Sequence, residues 1–157
     1  MKNQIKKLFV MAFIALAGVF TTSTVYAQMK PVDGSKIAMS KHAFSKTVDL
    51  VKSAIEDQNL MVIFDIDGQQ MMRMAGKKTK GMKQIFFMHP KYMRKVIEAN
   101  KMAAIQIPLK LIVMENEKGV VIRYFLPSTI LKPYQGTESV ANELDGLVEN
   151  IITTVTK

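Results

Sequence analysis

Ile105, Ile107, Leu109, Leu111 and Val113 alternate with Gln106, Pro108 and Lys110, and no other stretch of the chain constrains the fold as much. Side chains on a strand point to opposite faces in turn, so a two-residue apolar period predicts a half-buried strand. Glu115 to Gly119 is a polar turn, and Val120 to Phe125 reads as the returning arm of a hairpin. Pro108 lacks an amide hydrogen, which predicts an edge position or a bulge.

The other elements have to cover this hairpin. Val140, Leu144, Leu147, Val148, Ile151, Ile152 and Val155 recur at helical spacing, which predicts a long amphipathic helix after Thr137 as its cap. A second helix with Phe44, Val48, Val51 and Ile55 on its apolar side is expected after Ser40 and is broken at Asn59. Between them, Leu60–Ile66 and Gln84–Met88 read as strands and Gln69–Gly76 as a short helix. Lys77–Lys83 reads as a basic loop, and a helix starts at Pro90 with Tyr92, Met93, Val96 and Ile97 inward. Residues 127–133, marked by Pro127 and Pro133, read as loop. The expected fold is α+β: two layers, a mostly antiparallel sheet and a long helix at each end of the domain.

The first 27 residues carry a different signal. Lys2, Lys6 and Lys7 precede an apolar run from Leu8 to Val19, and Val25-Tyr26-Ala27 has compact residues where a signal peptidase cuts. The run is shorter than the roughly 20 residues of a membrane span. The reading is a signal peptide over 1–27, a loose leader over 28–39 and a domain over 40–157, periplasmic or secreted. No stable membrane span remains after cleavage. Residues 28–157 keep 19 of the 22 basic residues and all 13 acidic ones, a net charge of +6. The chain has no cysteine, which excludes disulfide frameworks, thiolate metal sites and thiol catalysis.

At the hairpin the residues resemble a known family. Ala104-Ile105-Gln106-Ile107-Pro108-Leu109-Lys110-Leu111-Ile112-Val113-Met114-Glu115, then Gly119 to Tyr124 and Pro127, is similar to the DUF302 pattern. Ile85-Phe86-Phe87-Met88-His89-Pro90 and residues 63–67 extend the resemblance over about 40–155. Two departures stand out: Gly68 occupies a position that is usually His in the family, and Met88-His89 replaces Gly-Asn. The resemblance implies a small α+β domain, often dimeric, of uncharacterised role.

Three constellations could carry chemistry. Val62-Ile63-Phe64-Asp65-Ile66-Asp67-Gly68 has the Asp-x-Asp spacing of phosphatases that form an aspartyl-phosphate, with Asp65 as nucleophile and Asp67 as acid/base. Gln69 stands where that motif has Thr, and no paired acids follow to hold magnesium. Met71, Met72 and Met74, with His89, form a candidate Cu(I) site, although methionine more often fills core gaps. Residues 73–110 hold ten cationic side chains against Glu98, whereas 137–157 carries four acids and one lysine. Such segregation suits an anionic ligand, an acidic partner surface, or a homodimer pairing the two segments; export argues against nucleic acid.

The function expected from the residues is a non-catalytic module binding a ligand or partner, with the phosphatase and the copper protein as alternatives. Its groove is expected between sheet and helices, with Asp67, Lys77, Lys78, Lys80, Lys83, Glu115 and Tyr124 as binding residues. No catalytic residue, metal or cofactor is assigned.

Overall fold

A computed structural model describes residues 33–157, and the expected signal peptide over 1–27 lies outside them. The chain order is β1 (Lys36–Ser40), α1 (Phe44–Asp57), β2 (Met61–Asp67), α2 (Gly68–Met74), β3 (Met82–Met88) and α3 (Pro90–Ala99). A 3-10 turn over Lys101–Gln106 follows, then β4 (Leu109–Asn116), β5 (Gly119–Tyr124), α4 (Pro127–Leu131) and α5 (Glu138–Thr156). The strands form one sheet in the order β1-β5-β4-β3-β2, and every neighbouring pair is antiparallel. The chain is therefore α+β, as its pattern predicts.

The hairpin forms with the expected alternation. Leu109, Leu111 and Val113 are buried, and β5 pairs against β4 with Leu111 opposite Tyr124 and Glu115 opposite Val120. The strand starts later than its sequence pattern. Ile105 and Gln106 belong to the 3-10 turn, where Ile105 is 79% exposed, and Pro108 lies just outside the strand. Pro108 is thus neither at a sheet edge nor in a bulge: β4 is the central strand, and its ladder begins only after the residue that cannot donate.

One sheet face carries the core. Ile85, Phe87, Leu109, Leu111, Val113 and Ile122 from the strands meet Val51 and Ile55 of α1 and Leu144, Val148 and Ile151 of α5. Closing the hairpin under both terminal helices removes this apolar surface from water, at roughly 25 cal/mol per Å². Asn59 takes a positive φ of 54°, which ends α1 and turns the chain into β2. Thr137 precedes α5, but its hydroxyl does not cap it; it donates instead to the carbonyls of Leu131 and Tyr134.

Four sequence expectations are corrected. Residues 36–39 are not leader but most of β1, an edge strand paired with β5. Ser40 is the last residue of that strand rather than a helix cap; its hydroxyl lies 2.8 Å from that of Thr47, and α1 starts at Phe44. Pro127 opens a short helix instead of a loop. Met93 of α3 stays exposed, and only Val96 of that helix is buried. At the opposite edge, pairing between β2 and β3 shifts register between Val62 and Phe64, leaving Ile63 in a bulge.

Candidate functional site

The charged residues singled out in the sequence gather at one end of the sheet. β2 places Asp65 and Asp67 on one face because they are two residues apart. Asp67 lies opposite Lys83 of β3. Lys83 Nζ sits 3.4 Å from Asp65 and 3.7 Å from Asp67, and Lys52 of α1 reaches Asp65 at 2.5 Å. The Lys52 hydrogen bond, reinforced by Lys83, holds the Asp65 carboxyl below the usual range. Asp67 also caps α2 by accepting from the Gln70 amide at 2.8 Å. These carboxylates lie along an antiparallel strand and carry lysine partners; doubly wound phosphoryl-transfer folds instead present their groups beyond the carboxyl ends of parallel strands. Among the described residues no three His, Asp or Glu side chains group as metal ligands.

The remaining predicted binding residues do not form one groove. Lys80 pairs with Glu117 at 2.7 Å, while Lys77 and Lys78 are exposed with no ion pair among the described residues. Glu115 accepts weakly from the Gly81 amide at 3.4 Å at this same end. Tyr124 is elsewhere. It sits four residues along β5 from the partner of Glu115, so the two do not meet as a polar pair. The methionine cluster also separates from His89: Met71 and Met72 neighbour Met82 at the start of β3, whereas His89 follows the strand's other end and caps α3 through Nδ1. Seven extended residues span roughly 23 Å. Of the four acids of the C-terminal helix, Glu143 is engaged within its own chain, accepting from Tyr92 and Lys95 of α3 at 2.9 and 2.5 Å.

Tyr124 instead lines a cavity at the opposite end of the sheet, of about 310 Å³. Phe87 and Leu109 form its floor, the 3-10 turn with Ile107 and Pro108 one wall, and Ile130 of α4 with Val148 of α5 the other. Its polar groups are few. Gln106 donates to the Tyr134 hydroxyl at 3.2 Å, and its amide oxygen has no partner among the described residues. Lys110 lies at the rim, exposed and without an ion pair among the described residues. Burial pushes the Tyr124 hydroxyl above the usual phenol range against the opposing pull of Lys36, so it is a neutral donor at physiological pH. A mostly apolar pocket of this size with a few convergent polar groups is the usual form of a small-molecule site.

Sequence reasoning found Tyr124 but missed Gln106, Ile107, Lys110, Ile130 and Val148. The one local clue is Pro108, which interrupts the alternation where the cavity wall begins.

Comparison with known proteins gives the lineage without an activity. The family model described as "Domain of unknown function DUF302" matches residues 36–155, and that span starts with β1. A solved structure, the uncharacterized conserved DUF302 protein from Bacillus stearothermophilus, superposes with a TM-score of 0.72 at 12% identity, over 78% of this chain and 98% of that one. No functionally curated protein matches the chain. Matched over most of its length by the family model and sharing the fold of a solved member, the chain belongs to the DUF302 family, whose function is unknown.

Proposed function

We propose that this chain is an exported, non-catalytic binding module whose cavity takes a small amphiphile: an apolar body with one anionic end. The observation that carries the reading is the composition of the cavity wall. Phe87, Ile107, Pro108, Leu109, Ile130 and Val148 offer apolar contact, while Lys110 and Tyr124 are lining residues that carry a cation and a neutral hydroxyl. A carboxylate or sulfonate near Lys110 would stay partly hydrated, which keeps its desolvation cost low, while its tail lies against the apolar wall. Export rests on the charged start, short apolar core and Val25-Tyr26-Ala27 exit of the sequence. The periplasm or the medium is the corresponding location.

Calorimetric titration of the protein with straight-chain carboxylates of eight to fourteen carbons tests the reading. Binding is expected to weaken about tenfold in Lys110→Glu and to be lost in Ile107→Phe, which fills the cavity, while Lys78→Glu behaves as wild type. Absence of binding across the series, or equal binding by Ile107→Phe, refutes it. Mass measurement of the protein recovered from an expressing cell tests export; a product retaining residues 1–27 contradicts it.

A further inference from the structure

The 3-10 turn over Lys101–Gln106 does more than wall the cavity. A 3-10 helix has about three residues per turn, so side chains three positions apart lie on one line. Ala103 and Gln106 form the inner line, the first fully buried and the second half-buried. Met102 and Ile105 form another, and it faces water, at 75% and 79% exposure. Ile105 lines the cavity as well, so this apolar ridge stands at its mouth. The turn is tied down at both ends. Asn100 caps it by accepting from the Met102 amide at 3.0 Å and donates to the Gln135 carbonyl at 3.2 Å. Gln106 donates to the Tyr134 hydroxyl at 3.2 Å. A fixed backbone thus holds two large apolar side chains out in solvent, and the burial that folding usually gives such residues is left unused.

We infer that this turn docks the protein on an anionic lipid bilayer, with Met102 and Ile105 seated among the headgroups and the cavity mouth against the membrane. Charge is the first argument. The hydrogen bonds to Tyr134 and Gln135 bring the segment after α4 beside the turn, and Lys132 with it. Lys101, Lys132 and Lys110, the last sharing the cavity lining with Ile105, are exposed and have no ion pair among the described residues. On α3 and α4, the helices packed against the turn, the acid is Glu98, which pairs with Arg94 at 3.8 Å. Glu138 at the start of α5 is the acid that follows Gln135 in the chain, so cations prevail three to one. Each lysine near an anionic membrane strengthens binding about fivefold. Size is the second argument. Two side chains rimmed by cations make a ridge too small for a specific protein interface, but they suit shallow insertion at a bilayer surface. Tyr134 beside them is of the type that settles where lipid meets water. The third argument rests on the ligand reading proposed above: an amphiphile with an anionic end resides in a bilayer and would enter the cavity from there without crossing water.

Co-sedimentation with vesicles tests the inference, using protein recovered from cells expressing the full sequence and no added carboxylate. Association is expected with equimolar phosphatidylglycerol and phosphatidylcholine, and not with phosphatidylcholine alone. Met102→Glu is expected to weaken it at least about tenfold. Lys101→Glu with Lys132→Glu is expected to weaken it at least about 25-fold. None of these three residues lines the cavity, so titration of the variants with free carboxylates should match wild type. The chain has no tryptophan, so Met102→Trp supplies a single reporter whose emission should shift to the blue when anionic vesicles are added. Lys46→Trp on α1 should not respond. No association with anionic vesicles, wild-type association by Met102→Glu, or a response from Lys46→Trp alone would each overturn the inference. The two readings fail separately: carboxylate binding without vesicle association refutes the docking, and vesicle association without carboxylate binding supports the docking and refutes the cavity.

Discussion

Two glycines in this fold face almost the same crowding, and their alanine variants should behave in opposite ways. A β-carbon on Gly81 would lie 2.6 Å from the ring of Phe44, and one on Gly68 would lie 2.5 Å from the terminal methyl of Met82, whereas ordinary contact begins at 3.4 Å. The neighbours differ in what they can do. The Phe44 ring opens α1 and packs on the core, and the Gly81 backbone is fixed by Glu115, whose amide donates to the Gly81 carbonyl at 2.8 Å. Ring and strand end must therefore separate, an overpacking strain of about 1–3 kcal/mol. Met82 can swing its terminal methyl away, leaving its Cγ at 3.2 Å and its carbonyl oxygen at 3.3 Å to give by a few tenths of an ångström, and Gly68 sits in the first turn of α2, where alanine is the better helix former by roughly 0.5–1 kcal/mol. Urea denaturation should accordingly give a loss of about 1–3 kcal/mol for Gly81→Ala and a change within about 0.5 kcal/mol for Gly68→Ala. Thermal midpoints should fall by roughly 4 °C per kcal/mol. The double variant Phe44→Leu/Gly81→Ala should recover part of the loss, with a coupling of about 1 kcal/mol. Equal losses for the two glycines, or strict additivity in the Phe44 cycle, would refute the reasoning.

Ile122→Ala empties a fully buried site on β5 between β1 and β4 and should cost about 2–5 kcal/mol in urea denaturation. The Asp65 carboxyl is held below its ordinary pKa by Lys52 and then Lys83, so its contribution to stability is complete above the carboxylate range and drains away as pH falls through the lowered value. An acid titration of unfolding should thus be shallower in Lys52→Met than in wild type. Tyr92→Phe deletes the hydroxyl that donates to Glu143; about 0.5–1.5 kcal/mol is expected from chemical denaturation.

Much of the architecture was legible because burial imposes a period on sequence. α5 runs long enough for seven apolar positions to fall on one face, and β4 and β5 alternate around a polar turn. β1 escaped because only five residues pair there, at an edge, with just one neighbouring strand to leave a mark on Lys36–Ser40. Ser40 looked like a cap because a serine before an apolar run has that signature, yet its hydroxyl is committed to Thr47. The candidate site was harder. Asp65, Asp67 and Lys83 could be brought together by strand spacing, but the cavity joins Gln106, Tyr124, Ile130 and Val148 from four elements, and no local pattern encodes their meeting. The methionines misled in the opposite sense. Met61 occupies a position suited to leucine and is nevertheless half exposed, because it lies on the edge strand β2, with a neighbouring strand on one side only.

The bulge at Ile63 has a consequence for solubility. β2 ends the sheet, and its outward row of free amides and carbonyls, flanked by Met61 and Phe64, would template another extended segment if it ran straight. The extra residue breaks that row after two positions and turns the remainder out of line. An incoming strand would find no uninterrupted ladder to extend, so a chain with an oily rim is protected from fibril growth by one residue out of step.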